Sequence, residues 1–407
     1  MKRIFKILLI VAVIAAMSIA VFGCKATATE TTAAAEETTA AVTTVAAETT
    51  AAETAEETTA AEEGAAPIYE HWGTVSLEEF FTKAPDGTKA STATLELTDE
   101  EKETIRSANL KVAWILSDLG EWARGIVKGA EVAMEDLGME VVLQDVADWD
   151  AATQISGVEA AMAADVDVML AMLCDPVGEG SVFRTVADQG IICSFVDEIP
   201  AGFKHPDDYA GVVTADLVNL GKVVAELIGE AVGGEGKVGL LYLDFLLYNA
   251  NSREHACVLT LESEYPGIEL LEKGTVTPED AEQAAAAWIT QNPDIKGIIA
   301  PYDTPAVSVL AALKAADRPD IKVVSYDLGA LTALDMLQGG NVVGIGVEST
   351  AELGRTAVMM AAYKYLGKDV PYFLTVPAYP ITADNVLELW EPTVGSPPPP
   401  EIAAYAK

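Results

Sequence analysis

Basic residues are scarce in this chain. Lys and Arg together number 25 against 63 Asp and Glu, a formal net charge of −38 over 407 residues. That balance excludes nucleic-acid binding, which needs a basic surface, and excludes docking by charge onto anionic headgroups. It reads as a solubility device and says little about fold. Histidine is rarer still: His71, His205 and His255 are the only ones. With no CxxC, no HExxH and no His-rich cluster, neither a zinc site nor a Ser-His-Asp triad finds support, and no cofactor or metal is expected. Cysteine is limited to Cys24, Cys174, Cys193 and Cys257. The last three sit in apolar contexts (MLCDP, IICSF, HACVL) and read as small buried hydrophobes. A Cys174–Cys193 bridge stays open if the two lie on neighbouring strands.

Long apolar runs are missing except at the start. Lys2, Arg3 and Lys6 precede Ile7–Val21, then Phe22, Gly23 and Cys24. A basic start and an apolar stretch ending in a small residue before cysteine make residues 1–23 a secretory signal. The site resembles the bacterial lipoprotein processing site, which implies a lipid on Cys24. Phe22 is bulkier than that pattern usually has. The competing reading is an uncleaved membrane anchor, for which the run falls short of the roughly 20 residues a span needs. Either way the bulk of the chain is expected to be extracytoplasmic. Residues 24–67 follow, built almost only from Thr, Ala and Glu. Such a segment cannot bury enough apolar surface to offset chain entropy, so a disordered, charge-extended linker is expected. Residues 68–109 form a leader with a helix start at Thr98-Asp99-Glu100-Glu101 ahead of Ile105, and are expected to pack on the main domain as a strap.

From Leu110 onward apolar strand-like runs alternate with helical patterns. Val112–Leu116 reads as a buried strand. Trp122, Ile126, Ala130, Ala133 and Leu137 then fall at steps of four, four, three and four, one helix face stopped by Gly138. Strands are predicted at 141–143, 166–173 and 191–196, and after a helix from about Asp216 to Val232 again at 238–243, 268–271, 297–300, 322–326, 342–347 and 372–376. Alternation of this kind with continuous apolar strands predicts α/β lobes built on doubly wound parallel sheets. The length exceeds one core, so two lobes are expected: 110–214 with 349–380, and 215–348 with 381–395. Residues 396–407, with Pro397–Pro400, read as a frayed Pro-rich tail.

In such sheets ligands bind beyond the carboxyl ends of the strands. Those ends read Ser117-Asp118, Asp175-Pro176, Asp197-Glu198, Asp244, Tyr302-Asp303, Asp327-Leu328-Gly329 and Glu348. A single Asp there is commonly a cap or turn former, and Asp118 and Asp175 fit that role. The recurrence of carboxylates across both halves points to one acid-lined cleft. Carboxylates accept from hydroxyl or N–H donors, and Arg or His donates; Trp122 could pack on an apolar ligand face, although core packing would also explain it. Arg253 could equally serve a local salt bridge, and His255 a satisfied helix position.

The segment VAWILSDLGEWARGIVKGAEVAMEDLGMEVV, with VDEIP, SREHA, PYDTPAVSVLAALKAA, VVSYDLG and the glutamate of GVEST, resembles the periplasmic sugar-binding proteins of the ribose-binding type from Leu110 to about Glu391. The resemblance implies an extracytoplasmic solute receptor for an ABC importer: two lobes joined by a three-crossover hinge, closing on one small ligand, with an ABC permease as membrane partner and a monomeric state. Matched by position, it implies a ligand set of Ser117, Glu121, Trp122, Asp197, Glu198, Arg253, His255, Tyr302, Asp303, Asp327 and Glu348, with His255 where the family usually has arginine. The crossovers are expected near 214–216, 348–349 and 377–382. The Asp-Arg pair of the family is Asp197-Glu198 here, and Tyr302 stands at a usual asparagine position. A site so rich in acids should reject anions, leaving a neutral sugar or polyol, with a cationic or amine-bearing solute as competitor. Other open readings are a nucleoside ligand, a sensory protein presenting ligand to a membrane receptor, and, on carboxylates alone, an enzyme; no nucleophile–base pair supports the last.

Overall fold

The computed structural model describes residues 90–244, 248–275 and 277–406, all within the unit Glu63–Lys407. The signal at 1–23, the lipid-bearing Cys24, the linker to residue 67 and the first part of the leader lie outside the described residues. Among the described residues no helix is long and apolar enough to cross a membrane.

The rest of the leader straps the first lobe. Ser91 pairs with Leu374 in a parallel bridge, and Leu95 and Leu97 are buried. Helix α1 (Asp99–Ala108) starts as the sequence predicts: Thr98 accepts from the Glu101 N–H while the Glu101 carboxylate accepts from the Thr98 N–H. Strands β1 (Lys111–Leu116), β2 (Glu140–Val146), β3 (Val168–Met172), β4 (Ile192–Val196) and β5 (Gly211–Ala215) form a parallel sheet, with helices α2 (Glu121–Leu137), α3 (Ala151–Ala163) and α4 (Gly180–Asp188) between them. Both faces are covered. Along β1, Val112, Trp114 and Leu116 enter one core and Ala113 and Ile115 the other, which is why the strand has no polar alternation. The predicted stripe of α2 buries Ile126, Ala130 and Leu137, and Gly138 ends the helix with φ 62°.

Next comes α5 (Leu217–Val232), then β6 (Glu235–Leu243), α6 (Tyr248–Glu264), β7 (Gly267–Thr275), α7 (Pro278–Gln291), β8 (Gly297–Ala300), α8 (Asp303–Ala315), β9 (Lys322–Tyr326), α9 (Ala330–Leu337) and β10 (Val342–Glu348). The chain closes with α10 (Thr350–Tyr365), β11 (Phe373–Val376), β12 (Ala378–Ile381), α11 (Val386–Val394) and α12 (Pro400–Ala403). The first sheet has the order β2-β1-β3-β4-β5-β11 and the second β7-β6-β8-β9-β10-β12, β12 running antiparallel to β10. The two sheets therefore match strand for strand. The chain passes between them three times: after β5, after β10, and at Pro377 between β11 and β12. Each early passage delivers a helix to the other lobe. Helix α5 leaves the first sheet and packs on α6 and β10, and α10 leaves the second and packs on α2 and β4. Both helix pairs approach closely through glycine: a Cβ on Gly129 would overlap the Ala351 carbonyl, and one on Gly221 the Arg253 carbonyl.

Three expectations change. β2 and β7 outrun their apolar centres (141–143 and 268–271), because they are edge strands whose ladder continues through exposed polar residues. The tail does not fray: α12 seats Ile402, fully buried, in the core of the second lobe, where one apolar side chain among prolines suffices to dock it. The Cys174–Cys193 bridge fails on register. Cys193 pairs with Met169 across β3 and β4, whereas Cys174 lies five residues beyond Met169, about 16 Å along the strand at roughly 3.3 Å per residue. That is out of disulfide reach, and all three described cysteines are free thiols.

Candidate ligand-binding cleft

The carboxyl ends of both sheets bring the acids of the sequence into one cleft. Asp197 follows β4 and Asp327 follows β9, the matching strand of the other sheet, with φ values of 65° and 64°. Asp and Asn tolerate this left-handed region better than most residues, at a cost of order 1–2 kcal/mol for an L-residue. The turn swings each carboxylate off the strand line. Gly329 keeps the backbone after Asp327 low, since a Cβ there would come within 2.8 Å of the Asp303 side chain and 3.2 Å of a Glu121 oxygen.

The two aspartates are satisfied differently. Asp197 accepts from the Thr214 hydroxyl at 2.7 Å and from the Asn249 amide at 2.8 Å. Asp327 takes both terminal nitrogens of Arg253, at 3.0 and 3.3 Å. Arg253 is buried, stacks over the Tyr326 ring with its carbon 4.5 Å from the centroid, and donates to the Pro301 carbonyl at 2.8 Å. Its fork meets carboxylate, carbonyl and ring face at once, which a lysine could not do.

Among the described residues, four hydrogen bonds span the cleft from lobe to lobe with a carboxylate as acceptor. Glu198 takes the Tyr248 N–H at 2.9 Å, Asp197 the Asn249 amide, Glu348 the Trp122 indole N–H at 2.6 Å, and Glu121 the Ala330 N–H at 2.7 Å. The last places a carboxylate on the first turn of α9, where free N–H groups and the helix dipole favour negative charge. A cavity of about 10 Å³ lies beside the Trp122–Glu348 contact, lined also by Asp327, Leu328, Thr350 and Thr393. It has room for about one water.

Crowding raises the acids. Burial, then the neighbouring Asp327, pushes Glu348 up to about 7. Burial, then Asp327 and Glu121, pushes Asp303 to about 7, burial lifts Asp197 to about 6, and burial with Asp197 lifts Glu198 to about 7. Burial pulls Arg253 down, but Asp327 and Glu348 outweigh it and hold the guanidinium charged. Tyr302 is raised by burial and then by Asp303.

Of the residues expected from sequence, Glu121, Trp122, Asp197, Glu198, Arg253, Asp303, Asp327 and Glu348 are brought together through these contacts and fields. Tyr302 lies half-buried at the start of α8, within the field of Asp303 and Asp118. Ser117 is buried at the end of β1, its carbonyl accepting from the Trp149 N–H. His255 is buried two residues beyond Arg253 and leaves the helix about 200° round from it at about 100° per residue, away from Asp327. Burial lowers its pKa, so it adds no cation. Asp175 is the turn former expected, accepting from the Val177 and Gly178 N–H groups. Sequence reasoning missed Thr214, Tyr248 and Asn249, whose roles depend on the facing lobe. It also missed Trp149, half-exposed, in a left-handed turn with Asp148 and bonded to Asp118; two acids flanking a tryptophan after an edge strand were the available signal.

Residues 112–369 match the family described as the periplasmic binding protein domain, and the chain belongs to that family. The xylitol-binding protein of Mycolicibacterium smegmatis is 29% identical over 245 residues, 58% of this chain and 67% of that protein. The D-apiose import binding protein of Actinobacillus succinogenes is 32% identical over 100 residues, 24% of this chain and 32% of that protein. An ABC transporter solute-binding protein from Agrobacterium vitis, solved with α-D-tagatopyranose, superposes with a TM-score of 0.63 at 23% identity over 70% of this chain and 98% of its own. That likeness is one of fold.

Proposed function

We propose that this member of the periplasmic binding protein family closes its two lobes on a small sugar or polyol and presents it to an ABC importer. The observation that carries the reading is the set of lobe-to-lobe hydrogen bonds that end on Glu121, Asp197, Glu198 and Glu348, beside the buried Arg253–Asp327 pair of the second lobe. Ring hydroxyls can donate to these carboxylates and accept from Arg253, and the face of Trp122 suits the apolar side of a sugar. The cavity beside Trp122 and Glu348, about 10 Å³, is too small for a sugar ring, so a ligand seated there needs the lobes to part and is held by its affinity for one arrangement over the other. The relatives' names, xylitol-binding and D-apiose import binding, fit the same ligand class. A lipid on Cys24 would hold the protein outside the membrane, as a monomer, within reach of its permease. Palmitate labelling of wild type but not of Cys24→Ser checks the anchor.

Titration calorimetry against xylitol, D-apiose, D-tagatose and sugar phosphates tests the ligand class. Binding of at least one neutral polyol in the micromolar range or tighter is expected, and none of the phosphates. Tight binding of a sugar phosphate alone would defeat the reading, since among the described residues the cation of the cleft, Arg253, is already paired with Asp327.

A further inference from the structure

We propose that the solute this cleft is built for carries a positively charged amine on its polyol frame. The inference rests on the sugar-or-polyol reading and narrows it. Asp197, Glu198, Asp303, Asp327 and Glu348 converge between the lobes, with Glu121 bonded to the first turn of α9, against the guanidinium of Arg253. The terminal nitrogens of that guanidinium are already given to Asp327 and to the Pro301 carbonyl, which leaves its Nε as a donor for a ligand hydroxyl. The other acids are met by neutral donors: Asn249 and Thr214 for Asp197, a backbone N–H each for Glu198 and Glu121, an indole for Glu348. Neutral donors supply these bonds, and among the described residues Arg253, paired with Asp327, is the one cation whose charge reaches Asp197 and Glu348. Closing the lobes strips water from these carboxylates and strengthens their mutual repulsion.

Glu348 points to what fills the gap. Its side chain is 3% exposed, it lines the cavity beside Trp122, and its Oε2 has no hydrogen-bond partner. A buried acceptor of this kind is costly unless something donates to it. An ammonium supplies both the missing donor and the missing charge, whereas a hydroxyl supplies only the donor. A metal ion fits less well: among the described residues no group of three or more His, Cys, Asp or Glu side chains is placed to hold one.

Calorimetry at pH 7.5 with matched pairs tests this: xylitol against 1-amino-1-deoxyxylitol, D-glucose against D-glucosamine, and myo-inositol against its amino-deoxy analogue. In at least one pair the amine is expected to bind tenfold or more tighter than the hydroxyl compound, and that ratio to fall tenfold or more in Glu348→Gln. Should that variant fail to fold, Asp303→Asn with the same pair gives the same reading. If in every pair that binds the hydroxyl compound is as tight or tighter, or the ratio survives both substitutions, the amine is overturned while the polyol reading stands. If no member of any pair binds, the polyol reading itself fails and the amine falls with it.

Discussion

The two lobes use the same position for opposite purposes. At the end of β4, Asp197 is met by a hydroxyl of its own sheet and an amide from the facing lobe. At the end of β9, Asp327 is met by a buried guanidinium of its own lobe. Backbone geometry is the same, with φ values of 65° and 64°. The first lobe leaves its acids uncompensated and reaches across with Asp197 and Glu198. The second neutralises Asp327 internally and holds it still. At this matched position one lobe has an aspartate that reaches across and the other an aspartate that is already set, and the difference lies in Arg253, a single residue of α6.

The strongest attempt to break this contrast is Arg253→Ala. It should lower unfolding stability in urea by about 3–5 kcal/mol, the usual result of leaving one member of a buried ion pair alone. Thr214→Val, removing one neutral bond to the matching aspartate, should cost about 1 kcal/mol. Equal costs would show that the two aspartates are not held in different ways. The exchanged helices come next. Gly129→Val and Gly221→Val each force two packed helices apart and should each cost about 1–3 kcal/mol in the same assay. If only one were costly, the lobes would not share their packing as they share their topology.

Asn249→Ala sharpens the role of the aspartate that reaches across. It removes a bond that exists only when the lobes are together, so ligand affinity should fall about fivefold, the equivalent of about 1 kcal/mol, with little change in urea stability. A loss of stability with unchanged affinity would assign Asn249 to the fold instead. The smallest effect is a pH slope. Glu348 rises from 4.5 to about 7 in the folded protein, so between those values the folded state keeps a proton that the unfolded chain has lost. Its contribution is full below pH 4.5 and is lost as pH climbs through 7. The melting temperature of wild type relative to Glu348→Gln should therefore decline across that window. Parallel curves would show that Glu348 stays ionised throughout.

Much of the fold was legible because its strands are buried on both faces. Val112–Leu116 and Val168–Met172 are continuous apolar runs, and Gly138 stops α2 where the stripe ends. Short β5 and β12, together with α11 and α12, were not: β5 and β12 are strands of five and four residues, and α11 is held by contacts with α2 and α10, far away in sequence. For the site, strand-end acids such as Asp197, Asp327 and Glu348 could be named from position alone. His255 could not be separated from Arg253, because helix rotation relative to the second sheet decides which of two near neighbours faces Asp327. Asn249 and Tyr248 lie in a stretch with no motif and matter only because the other lobe stands opposite.

By itself the sequence determined the alternation of strand and helix, the two-lobed partition and the acidity of the strand ends. These follow from local hydrophobic period and from residue type. Tertiary structure decided which acids are paired, which reach across and which are left to a ligand. Those outcomes depend on distances between side chains on different lobes, set by three passages of the chain, and on burial that turns a row of ordinary carboxylates into a coupled, proton-holding cleft.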